Sequence, residues 1–217
     1  MHFEFLTEDQ SSGKAMEILI PKMLGDDITY RVHPYKGIGH IPKGLTPKSD
    51  ANKRILLDQL PRLLNGYGRN PHCGIIVIIC DLDDNNKEQF LSELRGVLDA
   101  CVQKPKALFC LAIEEFEAWY LGDMDAVRKA YPKAKNRILN EYKNDSICGT
   151  WELLADAVYK GGHRALAKKG WMGVGEQKSI WAETISPHMD VNANKSPSFK
   201  EMCNDLLMYK AKQRQGE

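Results

Sequence analysis

Several familiar signatures are missing from this chain of 217 residues, and each absence narrows the field. Six cysteines are present without a single CxxC pair, which argues against a zinc ribbon, a redox motif or a disulfide framework. Cys80 and Cys110 lie inside apolar runs, a setting that suits reduced structural thiols. No apolar run approaches the ~18 residues that a membrane span requires. The opening Met1-His2-Phe3-Glu4 lacks the basic-then-apolar layout of a secretory signal, so a cytoplasmic protein is expected. A Walker-type phosphate loop is ruled out, because Gly13-Lys14 is followed by Ala15 and the position five before Gly13 is Glu8. Internal repeats, low-complexity tracts and a composition break sharp enough to mark a linker are also lacking. The net charge is only +1, too little for a protein that coats nucleic acid regardless of sequence.

What remains is a composition of 43% hydrophobic and 27% charged residues, enough for one α/β domain with embellishments or a domain plus a small helical extension. Strand and helix patterns alternate from the start. His2–Leu6 reads as a strand, followed by Thr7–Ser12 as a loop with helix-capping residues and a helix over about 15–24. Ile28–Val32 is a second strand, after which a glycine-bearing loop runs from His33 to Gly44. Ser49-Asp50 caps a helix that passes through Leu56, Leu60 and Leu64, where Pro61 is expected to kink or end it. A third strand spans 75–80, a helix follows from Lys87 to about Val102, and a fourth strand covers 107–113. Strands separated by helix-length segments indicate βαβ units and a mainly parallel sheet. From about Met124 the pattern is helices and loops, with helical pieces at 136–139, 151–155 and 199–202.

The most informative junction is where Ile75-Ile76-Val77-Ile78-Ile79-Cys80 stops at Asp81-Leu82-Asp83-Asp84-Asn85-Asn86. Six apolar, mostly β-branched residues have the character of a strand buried on both faces. Open α/β sheets bind ligands beyond the carboxyl ends of their strands. Two carboxylates one residue apart on that exit can both reach a hard cation such as Mg²⁺ or Mn²⁺. Glu8 occupies the equivalent exit of the first strand, and Glu114, Glu115 or Glu117 follows the fourth. Phe116, Trp119 and Tyr120 would share one helical face, leaving Glu114 and Glu117, three apart, on another. Converging carboxylates raise one another's pKa unless a cation sits among them. The competing structural reading of 81–85 is a helix cap. An apolar strand ending in DxD also occurs in haloacid-dehalogenase phosphatases, where the position of Asn85 is Thr or Val, and in nucleotide-sugar transferases, so a nucleotidyl- or sugar-transferring enzyme stays open.

Charge is unevenly spread. From Arg128 to Lys178 eleven Lys or Arg face five Asp or Glu, a local excess of six, so the rest of the chain is acidic. A polyanion held by the basic part while a metal in the acidic part acts on it fits this distribution; plain solvation of helix faces fits it equally. Lys160, His163, Arg164, Lys168 and Lys178, taken as surface residues, are the candidates for gripping a nucleic-acid backbone. Trp171 and Trp181 can stack bases or pack between helices.

Phe5-Leu6-Thr7-Glu8 after the first strand and Asp81-Leu82-Asp83 after the third resemble the Toprim domain of topoisomerases, primases and OLD (overcoming-lysogenization-defect) nucleases. Ile113-Glu114-Glu115-Phe116-Glu117-Ala118-Trp119-Tyr120-Leu121-Gly122-Asp123 and Asn194-Lys195-Ser196-Pro197-Ser198-Phe199 resemble two signatures of a small stand-alone bacterial branch of that superfamily. The branch is found beside ABC- or OLD-type ATPases in phage-defence and abortive-infection cassettes. The resemblance spans about Phe3 to Leu207. It implies a Rossmann-like Toprim core over 1–123 with a helical C-terminal extension over 124–217 packed on it. It further implies a Mg²⁺- or Mn²⁺-dependent nuclease acting on DNA or RNA, tRNA included, with Glu8, Asp81, Asp83 and Glu117 as catalytic and metal-binding residues. An ATPase encoded nearby is the implied partner, and a non-catalytic sensor or adaptor is the alternative. Lys36 or His40, in the family's glycine-bearing second loop, would meet a phosphate. Asp9 departs from the pattern, since many Toprim domains have Gly after the first glutamate; here it adds a possible ligand. Ser196-Pro197-Ser198-Phe199 reads as a helix start capped by Ser196 or Ser198, with no chemistry assigned.

Overall fold

A computed structural model describes residues 1–35, 56–70 and 73–215. The elements in chain order are β1 (His2–Thr7), α1 (Gln10–Leu24), β2 (Thr29–Pro34), α2 (Leu56–Gly68), β3 (Ile75–Asp81), α3 (Lys87–Asp99) and β4 (Lys106–Ala112). Short helices α4 (Glu117–Leu121), α5 (Met124–Ala130), α6 (Asn136–Glu141), α7 (Thr150–Val158) and α8 (Gly162–Ala167) follow. The long helices α9 (Gly170–Ile185) and α10 (Pro197–Gln215), separated by a 3-10 turn at Ser186–His188, complete the chain. The strands form one parallel sheet in the order β2-β1-β3-β4, an α/β fold of Rossmann-like type. Among the described residues no helix is long and apolar enough to cross a membrane.

Alternation along the central strands builds two cores. Phe3, Phe5, Val77 and Ile79 face α1, α9 and α10 in one cluster, with Trp181, Ile185, Phe199 and Met202 in the same apolar mass. Leu6, Ile76 and Ile78 face the other way, onto Leu60 and Leu64 of α2 and Phe90 and Leu94 of α3. Every apolar residue of β3 is buried for that reason. The C-terminal helices therefore supply one of the two layers that cover the sheet.

Three local details differ from the sequence-based expectation. Helix α1 begins at Gln10, five residues early, because Asp9 caps it: the Asp9 carboxylate accepts the Ser12 N–H at 2.7 Å, and the Ser12 hydroxyl lies 3.3 Å from the Asp9 N–H in return. Helix α2 runs on through Pro61 to Gly68; Leu60, Pro61 and Leu64 are all buried, and that packing offsets the lost backbone hydrogen bond. The proposed cap at Ser49-Asp50 lies outside the described residues. Helix α9 was not anticipated at all.

The two segments that carry the narrower family resemblance interlock. The Trp119 indole N–H donates to Ser198 Oγ at 3.0 Å, and Asn194 Nδ2 donates to the Trp119 carbonyl at 2.8 Å. Ser196 caps α10, its hydroxyl accepting the Phe199 N–H with Pro197 at the first helical position. Asp145 ties this start down, accepting from Ser196 Oγ at 2.6 Å and from the Ser198 N–H at 2.7 Å. Trp119 packs edge-on against Phe199, ring centroids 5.5 Å apart. Trp119, Asn194, Ser196 and Ser198 are buried and Asp145 half-buried, and each is hydrogen-bonded, so the network's role is to clamp α10 onto α4.

Gly122 sits where the two segments touch. A methyl group added there would collide with Asn194 Oδ1 and stand 2.9 Å from the Ser196 nitrogen. Gly122→Ala is expected to destabilise the fold by about 1–3 kcal/mol, read as a shift of the urea midpoint at unchanged slope.

Candidate functional site

The strand order makes the chain leave β1 for β2 on one side and return to β3 on the other, so the order reverses between β1 and β3. Beyond the carboxyl ends of those two strands lies the crevice where such sheets take ligands. Thr7 pairs with Ile79, which sets Glu8 level with Cys80 and beside Asp81. The Asp81 N–H donates to Glu8 Oε2 at 3.1 Å. Two acidic residues 73 positions apart thus meet at the switch point, as their shared position at strand exits implied. Burial pushes the Asp81 carboxyl well above the usual carboxylate range, and Glu8 pushes it further, against the pull of Lys178. Capping does not explain the aspartates, since α3 is capped by Asn86, whose Oδ1 accepts the Gln89 N–H at 3.0 Å. Asp83 stands at the rim with a left-handed backbone, φ 48°, its N–H donating to the Glu114 carbonyl at 2.9 Å.

The exit of β4 is organised differently from the expected helical face. Helix α4 starts only at Glu117, and Glu114, at φ 62°, belongs to the turn before it. The Glu114 carboxylate accepts the N–H groups of Cys148, Gly149 and Thr150 at 3.1, 2.7 and 2.9 Å, together with the Thr150 hydroxyl. It is a clamp on the start of α7 and does not share a face with Glu117. Glu117 is 2% exposed and accepts from Lys178 Nζ at 3.1 Å; Glu115 lies 3.4 Å from the same ammonium. Burial raises the carboxyls of both, that of Glu115 to about 7, with the Lys178 charge opposing.

Lys178 is therefore no surface residue. Its side chain is 14% exposed, and although burial alone would lower its pKa, Glu117, Glu115, Asp81 and Asp9 together hold it well above the ordinary lysine value. Lys160, Arg164 and Lys168 are exposed. The His163 ring is bound to Asp156 at 2.8 Å. Trp181 is fully buried core, whereas Trp171 is 72% exposed. Asp9 is committed to capping α1, receiving Ser11 Oγ and Ser12 Oγ as well as the Ser12 N–H. Lys36 and His40 lie outside the described residues.

These groups surround a cleft of about 790 Å³. Its floor is Glu8, Asp81, Asp83, Glu115 and Lys178, and its wall includes Tyr35, Trp151, Trp171 and Val174. A family model matches residues 7–207, nearly the whole chain and all of this site. The chain belongs to the DUF4276 family, described as a domain of unknown function. No curated protein and no solved structure matches it.

Among the described residues of this DUF4276 chain, no group of three or more His, Cys, Asp or Glu side chains is spaced to hold a metal ion by itself. Mg²⁺ seldom uses such a cage; it is typically held by one or two carboxylates, with water and substrate phosphate completing the octahedron. Hard oxygen donors at Glu8 and Asp81, both half-buried, fit an ion held in that way. Glu117 fits it less well, because Lys178 already neutralises it.

The sequence did carry a sign of α9 and of its lysine. Val174, Lys178, Trp181, Ala182 and Ile185 follow the i, i+4, i+7, i+8, i+11 spacing of one helical face. A lysine inside an inward-facing stripe is expected to be paired with buried acid.

Lys178→Met leaves Glu115 and Glu117 without a counter-charge and should destabilise the fold by about 3–5 kcal/mol, with Glu117→Gln added to it restoring part of the loss; urea unfolding of the three variants checks this. A second outcome concerns pH. Between the ordinary glutamate value of 4.5 and about 7, folded Glu115 keeps a proton that the unfolded chain has released. Stability must therefore fall as pH rises through that window. Glu115→Gln should flatten the fall in unfolding midpoints measured across it.

Proposed function

We propose that this chain is a Mg²⁺- or Mn²⁺-dependent phosphodiesterase of nucleic acid, DNA or RNA, with a Toprim-like core. The observation that carries the reading is the meeting of Glu8 and Asp81 across β1 and β3 at the switch point of the sheet, joined by the 3.1 Å hydrogen bond. Asp81 and Glu8 would hold the ion, Asp83 would join from the rim, and Lys178 would keep Glu115 and Glu117 neutralised. A lysine in that place favours one ion over two. Magnesium, when bound, would draw charge from the phosphoryl oxygens and ease the loss of a proton from water. Where Glu8 serves as general base instead of ligand, it would take that proton as the water oxygen bonds to phosphorus. The bond from phosphorus to the leaving sugar oxygen breaks, and that oxygen is protonated from solvent. Exposed Lys160, Arg164 and Lys168 are the candidates for holding the strand.

The resemblance of the motifs supports a cytoplasmic role in antiviral defence beside an ABC- or OLD-type ATPase, which would restrain or trigger cleavage. A second reading, a non-catalytic sensor or adaptor of that ATPase, is favoured by the Lys178 ammonium, which balances two of the carboxylates without any metal.

Asp81→Asn and Glu8→Gln should each lower Mg²⁺-dependent hydrolysis of DNA or RNA by at least about a hundredfold, and chelation of the metal should do the same. Biological activity that survives both substitutions would transfer the case to the adaptor.

A further inference from the structure

The metal reading uses the floor of the cleft and leaves its wall without a task. That wall is mainly aromatic and apolar: Tyr35 after β2, Trp151 in the first turn of α7, and Trp171 and Val174 in the first turns of α9. An indole 72% exposed in a cleft lined by carboxylates is a poor choice for solubility, and large exposed aromatics at a concave site mark surfaces that take a ligand. The cleft is of a size that accepts a nucleotide unit.

We propose that the aromatic wall receives an unpaired nucleobase, so that the substrate is single-stranded nucleic acid, or a strand end, with its phosphodiester over Glu8 and Asp81. This rests on the phosphodiesterase reading for the floor and adds to it the state of the strand. Duplex bases keep their faces stacked on one another and offer none to a protein ring, whereas single strands and extruded bases do. Stacking on indole or phenol tolerates any base, and Gln10, Ser11, Glu176 and Ser179 line the same cleft. Lys168 and Lys169, both exposed, lead directly into Trp171. Lys168 would offer positive charge to a flanking phosphate, while Lys169 Nζ lies over the Tyr159 ring.

Binding of labelled short oligonucleotides to the full chain in Mg²⁺ tests this, by anisotropy and by tryptophan emission, with single-stranded DNA, single-stranded RNA and the duplexes of each as probes. Single strands are expected to quench emission and to bind at least about tenfold more tightly than the matching duplex. Trp171→Ala, a change at an exposed position, should weaken single-strand binding by about tenfold and erase the preference over duplex, while Trp171→Phe should keep most of both. Equal affinity for single strand and duplex, or a Trp171→Ala chain that binds like the parent, overturns the proposal. That result leaves the phosphodiesterase reading in place, since hydrolysis by the parent chain and its loss in Asp81→Asn judge the floor separately. If hydrolysis is absent while single strands still bind and discriminate, the wall stands and the phosphodiesterase reading falls.

Discussion

Glu115, Glu117 and Asp81 are brought together by the strand exits of β3 and β4 in a place from which water is largely removed. Left to themselves they would repel, and each would be driven to its neutral form. The ammonium of Lys178, carried in from α9, is what allows them to share the space. Because that helix also lays Trp181 and Ile185 into the core that covers the sheet, the ion pairs and the apolar packing fix the same element. A buried pair of this kind adds little net stability over well-packed apolar residues. Its contribution is to specify where α9 must lie, and hence which side chains border the cleft.

The C-terminal part is held a second time where α10 begins against α4. Trp119, Asn194, Ser196, Ser198 and Asp145 satisfy one another's polar groups around the start of α10. Residues 194–199 therefore serve architecture, whereas residues 113–123 serve both architecture and the cleft: Trp119 clamps α10 and Glu115 borders the cleft with Glu8, Asp81 and Asp83.

Much of the fold was legible. The four strands were found to within one or two residues, because buried parallel strands write themselves as apolar runs and their exits as polar clusters. The meeting of Glu8 with Asp81 followed from strand topology and needed no side-chain knowledge. What failed did so for identifiable causes. Helix α9 opens Gly170-Trp171-Met172-Gly173-Val174-Gly175, and three glycines there oppose helix locally; packing against α1, α5 and α8 and the ion pairs outweigh them. Missing the helix turned Lys178 into an apparent surface charge. The paired helical face of Glu114 and Glu117 failed because the chain leaves β4 through a tight turn before helix begins, which periodicity cannot register. Helix α1 starts early because Asp9, read as a possible ligand, is the residue that caps it.

Two non-glycine residues at neighbouring strand exits, Asp83 and Glu114, have left-handed backbones, and the N–H of one is bonded to the carbonyl of the other. Such a conformation is uncommon for side-chain-bearing residues and persists only where the surroundings over-determine it. Glu114 is over-determined by three backbone donors from the start of α7, and Asp83 is latched to Glu114. The mouth of the crevice is thereby preset: a guest arriving there meets loops whose disorder was already surrendered during folding, so its own grip need not be diluted by the entropy of arranging them.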